Sequence, residues 1–198
     1  MKSFLRAGLL SLLLVAACSK AVPSPRATAP KESPATSKGQ DVIGTTPPEW
    51  EATHWLNSPP LKVADLRGKV VLVRWWTSGC PYCSTTAPAL RDFAKEYADR
   101  GLVVVGMYHH KDEGPLDLAV VDQTAAKYGF TFPVAVDPEW HTLDRWWQPK
   151  AKNRNFTSVS FVLDRQGVIR HVHPGGEYAK GEPSYDAMHA ASERQLGS

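Results

Sequence analysis

A chain of 198 residues with 42% hydrophobic and 22% charged side chains has room for one folded domain of ordinary size plus short accessory segments. Its formal charge of +3, with no long basic run, gives no electrostatic footprint for nucleic acid. Three cysteines, at 18, 80 and 83, exclude a disulfide-dense scaffold and leave one odd thiol if the close pair bonds to itself.

At the N-terminus Lys2 and Arg6 lead into an apolar stretch from Ala7 to Ala17, too short to span a bilayer well. Residues 1–17 therefore read as a signal peptide. Residues 18–40 read as a linker behind Cys18, with prolines at 23, 25, 30 and 34 among Ser, Thr, Ala and Lys. Such a composition buries too little apolar surface to fold, and as a coil it reaches roughly 25 Å. The folded domain is expected over 41–198.

Pro47-Pro48-Glu49-Trp50 and Ser58-Pro59-Pro60 predict an irregular or edge-strand entry, because proline donates no ladder hydrogen bond. A short turn over 64–69 leads into an unbroken apolar run at 70–76, the pattern of a strand covered on both faces. Leu90, Phe93, Ala94 and Tyr97 recur at helical spacing and predict a helix from Thr85 to about Asp99, kinked at Pro88 and closed by Gly101. There follow a strand at 102–107, a charged loop at 109–113, a helix at 116–128 ended by Gly129, a strand at 132–136 and a short helix at 139–147. Strands at 159–163 and 168–173 flank Asp164-Arg165-Gln166-Gly167, the composition of a hairpin turn, before a last helix at 184–195. Parallel strands joined by helices, then an antiparallel hairpin, make an α/β domain of three layers: a mixed central sheet flanked by helices.

The chemistry concentrates where the first core strand hands over to the first helix, at Trp75-Trp76-Thr77-Ser78-Gly79-Cys80-Pro81-Tyr82-Cys83. Two cysteines at this spacing suggest a dithiol/disulfide couple. A helix N-terminus favours thiolate, and the gain is large: about 3% ionised at pH 7 for a thiol with pKa near 8.5, about 90% for one near 6. Cys80 is the candidate nucleophile and Cys83, a turn later and more covered, the resolving thiol. A structural disulfide here would close a tiny loop and constrain little, and a zinc site lacks a second cysteine pair. His109 and His110 are expected to be solvated in their charged loop, and His171 and His173, sharing one strand face, to meet water. Trp140, Trp146 and Trp147 are expected to pack a short helix. Arg74, on a strand, could face the site or face away.

Two resemblances extend this reading. Val15-Ala16-Ala17-Cys18 resembles the lipobox of bacterial lipoproteins, which implies cleavage before Cys18, its acylation, and membrane attachment through the lipid alone. Ser19, where enteric lipoproteins held at the inner membrane carry aspartate, gives a mild preference for the outer membrane.

The second is to the thioredoxin superfamily, and within it to TlpA/ResA-like extracytoplasmic thiol–disulfide oxidoreductases. It rests on Leu66-Arg67-Gly68-Lys69-Val70-Val71-Leu72-Val73, the 76–83 segment, Pro88, Tyr128-Gly129-Phe130-Thr131-Phe132-Pro133-Val134 and the 161–169 hairpin, in that order. The resemblance implies reduction of protein disulfides by Cys80 and Cys83 with no cofactor beyond their own redox-active disulfide. It also implies support of the site by Trp76, Gly79, Pro81, Tyr82, Thr157 and Ser158. Compatible partners are protein thiols and disulfides outside the cytoplasm, apocytochrome c among them, and a DsbD-like membrane electron donor.

The chain departs from the family at four points. Gly79 replaces a tryptophan, Arg74 and Thr86 stand where a buried carboxylate is aligned, Pro81-Tyr82 is the dipeptide of glutaredoxins, and Ser158 replaces the proline of a cis bond. A cis bond before a non-proline residue costs about 2.5–4 kcal/mol, so Thr157–Ser158 is expected to be trans. Two other readings remain in view: a thiol-dependent peroxidase, suggested by Thr77-Ser78-Gly79-Cys80, and a copper carrier using both cysteines with His109 or His173.

Overall fold

The computed structural model describes residues 39–147, 154 and 156–198. The expected signal peptide at 1–17, Cys18, and the linker up to residue 38 lie outside the described residues.

Six strands form one mixed sheet in the order β1-β4-β3-β2-β5-β6. Its centre is β2 (Val70–Trp76), fully buried along its length, paired in parallel with β3 (Leu102–His109), which pairs in parallel with β4 (Val134–Asp137). Strand β1 (His54–Leu56) lies antiparallel to β4 at one edge, and the β5 (Ser160–Leu163) and β6 (Ile169–His173) hairpin closes the other side. The hairpin turn is tied by Asp164, whose Oδ1 accepts from the Gln166 and Val168 N–H groups at 2.9 Å.

Alternation along β2 divides the core. Val70, Leu72 and Trp76 face a cluster built from α1 (Pro81–Glu96), α2 (Leu118–Lys127) and α4 (Pro183–Leu196). Val71, Val73 and Trp75 face a second cluster with Leu143 and Trp146 of α3 (His141–Trp146) and with Trp50, Val63 and Leu66 of the N-terminal segment. The three layers are thus as expected, with irregular chain completing the second face.

Several boundaries differ from the sequence expectation for local reasons. Helix α1 begins at Pro81, not Thr85, because Cys80 itself is the N-cap and proline suits the first helical position. It ends at Glu96 and gives way to a short 3-10 turn, Ala98–Arg100, that Gly101 closes at φ +91°. Strand β3 runs two residues further than its apolar pattern, to His109, because its register with β2 and β4 continues through Trp76↔Tyr108 and His109↔Asp137.

Candidate active site

Because β2 and β3 run in parallel, their carboxyl ends open on the same edge of the sheet, and α1 starts there. Strand β5 runs the other way and pairs Ser160 with Arg74, so the segment that precedes it, Thr157-Ser158, reaches the same edge. A pocket of about 310 Å³ lies between them. Gly79, Cys80, Pro81, Tyr82 and Cys83 line it from the helix side, Thr157 and Ser158 from the opposite side. No peptide bond among the described residues is cis, and Thr157–Ser158 is trans.

Both cysteines are free thiols, Cys80 half-buried and Cys83 buried. The Cys80 sulfur accepts the backbone N–H of Cys83 at 3.3 Å, which is how it caps the helix. Its pKa is lowered to about 6: the Cys83 thiol donates to it, and the Cys83 and Tyr82 N–H groups and the charge of Arg74 add to the effect against partial burial. Cys83 is pushed far upward, first by giving its proton to the Cys80 sulfur and then by burial. The two opposite shifts favour the proton on Cys83 and the negative charge on the more accessible Cys80 sulfur.

Trp76 lies behind the pocket, 1% exposed, with Tyr108, Tyr128 and Phe130 edge-on at ring distances of 5.0, 5.8 and 5.4 Å. Its indole closes on Gly106, where an added Cβ would stand 3.1 Å from Nε1. Gly79 sits at φ +69°, a left-handed conformation that a tryptophan in its place would hold only under strain. Ser78 spans Asp112 at 2.5 Å and Tyr108 at 3.3 Å, tying the turn to the loop after β3. Tyr82 and Phe156 meet edge-on at 5.9 Å and stay about two-fifths exposed, forming an apolar lip.

Four site residues are added or corrected by the structure. Arg74 points into the α1 side, fully buried, its guanidinium donating to the carbonyls of Ser158 and Gly176. His109 is not solvated: it is fully buried, its Nε2 2.8 Å from the Thr157 hydroxyl, and burial pushes its pKa down to about 3. Lys111 reaches the same hydroxyl at 3.3 Å from outside. His173, expected to meet water, is half-buried against Tyr178 and is likewise held near 3 by burial. The signal for His109 was its place at the carboxyl end of a parallel strand beside the strand that leads to Cys80. Trp146 and Trp147 pack as expected, and Trp140 packs partly buried against the same cluster, preceding α3 at φ +62° and donating its indole N–H to the His110 carbonyl. Among the described residues no three His, Cys, Asp or Glu side chains gather as a metal site.

A cysteine pair at the start of a helix, one sulfur half-buried and one buried, at the carboxyl edge of a mixed sheet, is a thioredoxin-like arrangement. Residues 43–172 match the AhpC/TSA family, and the chain belongs to it. It is 31% identical over 142 residues to Protein DipZ of Mycobacterium tuberculosis, an alignment covering 70% of this chain and 20% of DipZ. The chain therefore corresponds to about a fifth of that relative's length. It is 28% identical over 126 residues to the thiol-disulfide oxidoreductase YkuV of Bacillus subtilis, covering 64% and 80% of the two chains. The thiol-disulfide oxidoreductase ResA of Geobacillus kaustophilus is 24% identical over 140 residues, 71% and 74% of the two chains. A solved structure from Chlorobium tepidum, described as a thiol:disulfide interchange protein DsbE, superposes with a TM-score of 0.61 at 23% identity, covering 78% and 98%. Within its family the chain is a TlpA/ResA-like thioredoxin-superfamily protein.

Proposed function

We propose that the whole protein is a lipid-anchored, extracytoplasmic oxidoreductase that reduces protein disulfides through Cys80 and Cys83. The observation that carries this reading is the pairing itself: an accessible sulfur held as thiolate and a covered sulfur that keeps the proton. Cys80 thiolate attacks one sulfur of the substrate disulfide, that S–S bond breaks, and the departing substrate thiolate takes a proton from water. Cys83 then gives its proton to solvent, attacks the Cys80 sulfur and releases the second substrate thiolate, which is protonated in turn. Two electrons have passed to the substrate, and no cofactor beyond the cysteine pair is required.

The apolar lip of Tyr82 and Phe156 beside Cys80 suits a polypeptide substrate. Apocytochrome c is one compatible substrate, and a DsbD-like membrane protein a compatible source of electrons. The lipobox-like end at Cys18 supports attachment by lipid alone, with the outer membrane preferred on the strength of Ser19. No described helix is long and apolar enough to cross a membrane.

Insulin reduction by the wild type, Cys80→Ser and Cys83→Ser tests the assignment. Loss of turnover is expected in both variants, with a trapped mixed disulfide in Cys83→Ser; full activity of Cys80→Ser would sink it. Peroxide is the alternative substrate, and stopped-flow consumption by the reduced protein no faster than by free thiol sets that reading aside.

A further inference from the structure

Behind the cysteine pair the fold buries a positive charge that pairs with no carboxylate among the described residues. Arg74 is 0% exposed in the middle of the sheet. Its Nη1 donates to the Ser158 carbonyl at 2.6 Å and lies 3.4 Å from the Ser160 hydroxyl, and its Nη2 donates to the Gly176 carbonyl at 2.7 Å. Its guanidinium carbon stands 5.3 Å above the Tyr178 ring, and its Nε has no partner. None of the ion pairs among the described residues includes it, and residues 148–153 and 155 contain no acidic side chain.

A buried cation is expensive unless an anion faces it. The other titratable groups around Arg74 carry no negative charge. Burial holds His109 of β3 and His173 of β6 near pKa 3, hence neutral, and raises the phenol of Tyr178. Lys111, outside at the pocket mouth, is a second cation. Among the described residues the group left to answer the charge is the dithiol, and the field of Arg74 lowers the pKa of both cysteines. Arg74 also fixes the wall opposite them, since Ser158, whose carbonyl it holds, lines the Cys80 pocket.

We propose that Arg74 is the counter-cation of the Cys80 thiolate, a positioning residue that favours the reduced state and so directs the protein to strained or exposed disulfides. Forming the Cys80–Cys83 disulfide passes two electrons to the substrate disulfide, releases the Cys83 proton to solvent and removes the thiolate charge that the field of Arg74 favours, leaving the cation buried and unanswered. The reduced state is then favoured and the couple becomes a weaker reductant. Structural disulfides hold low potentials and resist such a couple, whereas strained or exposed ones have higher potentials and yield to it. The inference rests on the disulfide-exchange reading above, and deepens it by naming the class of disulfide.

The test compares wild type, Arg74→Met and Arg74→Lys in glutathione redox buffers, with the pH profile of Cys80 alkylation and circular dichroism as a check of folding. Arg74→Met is expected to shift the equilibrium at least tenfold toward the disulfide, about 30 mV for a two-electron couple, and to move the alkylation midpoint upward. Arg74→Lys, which keeps the charge, should restore most of both. Thermal unfolding of the wild type alone gives a second test that no variant's folding can spoil: the reduced protein should melt above the oxidised one. A folded Arg74→Met with wild-type equilibrium and midpoint overturns the proposal, as does an oxidised wild type that melts higher or a wild-type couple as reducing as thioredoxin. Absence of any disulfide exchange in the wild type would instead remove the reading on which the proposal stands.

Discussion

Cys80 owes its reactivity to neighbours that are close in sequence and contribute mostly through hydrogen bonds. The Cys83 thiol is the largest contributor, followed on the favourable side by the Cys83 N–H, then Arg74, then the Tyr82 N–H. Alkylation of Cys80 should therefore rise with pH around a midpoint of about 6, and Cys83→Ala, which removes the donor thiol, should move that midpoint upward. Rates of iodoacetamide modification against pH measure both. The sign for stability follows from the same shift. A thiol whose folded pKa lies below its unfolded value adds stability at high pH and loses it as pH falls through the folded pKa, so the reduced protein should weaken toward pH 6. Gly79 shows the opposite kind of local control. Its left-handed backbone gives the turn before Cys80 its shape, and a Cβ there would meet no atom within 4 Å, so conformation and not space selects glycine.

Strand β3 supports the site through one missing side chain. A Cβ on Gly106 would stand 3.1 Å from Trp76, 3.3 Å from Phe132 and 3.4 Å from Val134. Gly106→Ala is expected to destabilise the domain by about 1–3 kcal/mol through overpacking, read from urea unfolding, and to slow disulfide exchange by tilting the indole behind Cys80. Most elements were legible because apolar runs and helical spacing report burial directly: β2 and α4 lie within a residue or two of their expected ends. What escaped was set by partners distant in sequence. The length of β3 depends on its register with β2 and β4, and the burial of His109 on Thr157, 48 residues away. Arg74 was undecided for the same reason, since its orientation is fixed by carbonyls of Ser158 and Gly176 that no local pattern reveals. The start of α1 was misplaced because cysteine is not among the usual capping residues.

The domain described here is joined through its N-terminal segment to Cys18, and the function proposed for it depends on where that segment holds it. Full-length protein made in a bacterial host should sediment with membranes, and Cys18→Ser should move it to the soluble fraction with insulin reduction unchanged. Ultracentrifugation followed by the activity assay decides this, and a wild-type protein that stays soluble would remove the anchor from the proposal. DipZ, five times longer than the matched region, shows that domains of this kind also occur inside larger chains.

The partition of the core along β2 has an optical consequence. Of seven tryptophans, Trp50, Trp55, Trp75, Trp140, Trp146 and Trp147 lie in or against the cluster on one face of the sheet, and Trp76 alone shares the other with Cys83. A disulfide quenches the emission of an indole packed close to it, so closing the Cys80–Cys83 bond should dim one fluorophore and leave six as a constant background. Trp76→Phe should abolish the change in emission between oxidised and reduced protein, and Trp146→Phe should leave it intact. Such a response would give a label-free optical gauge of the oxidation state, alongside an independent gauge of whether the opposite face is folded.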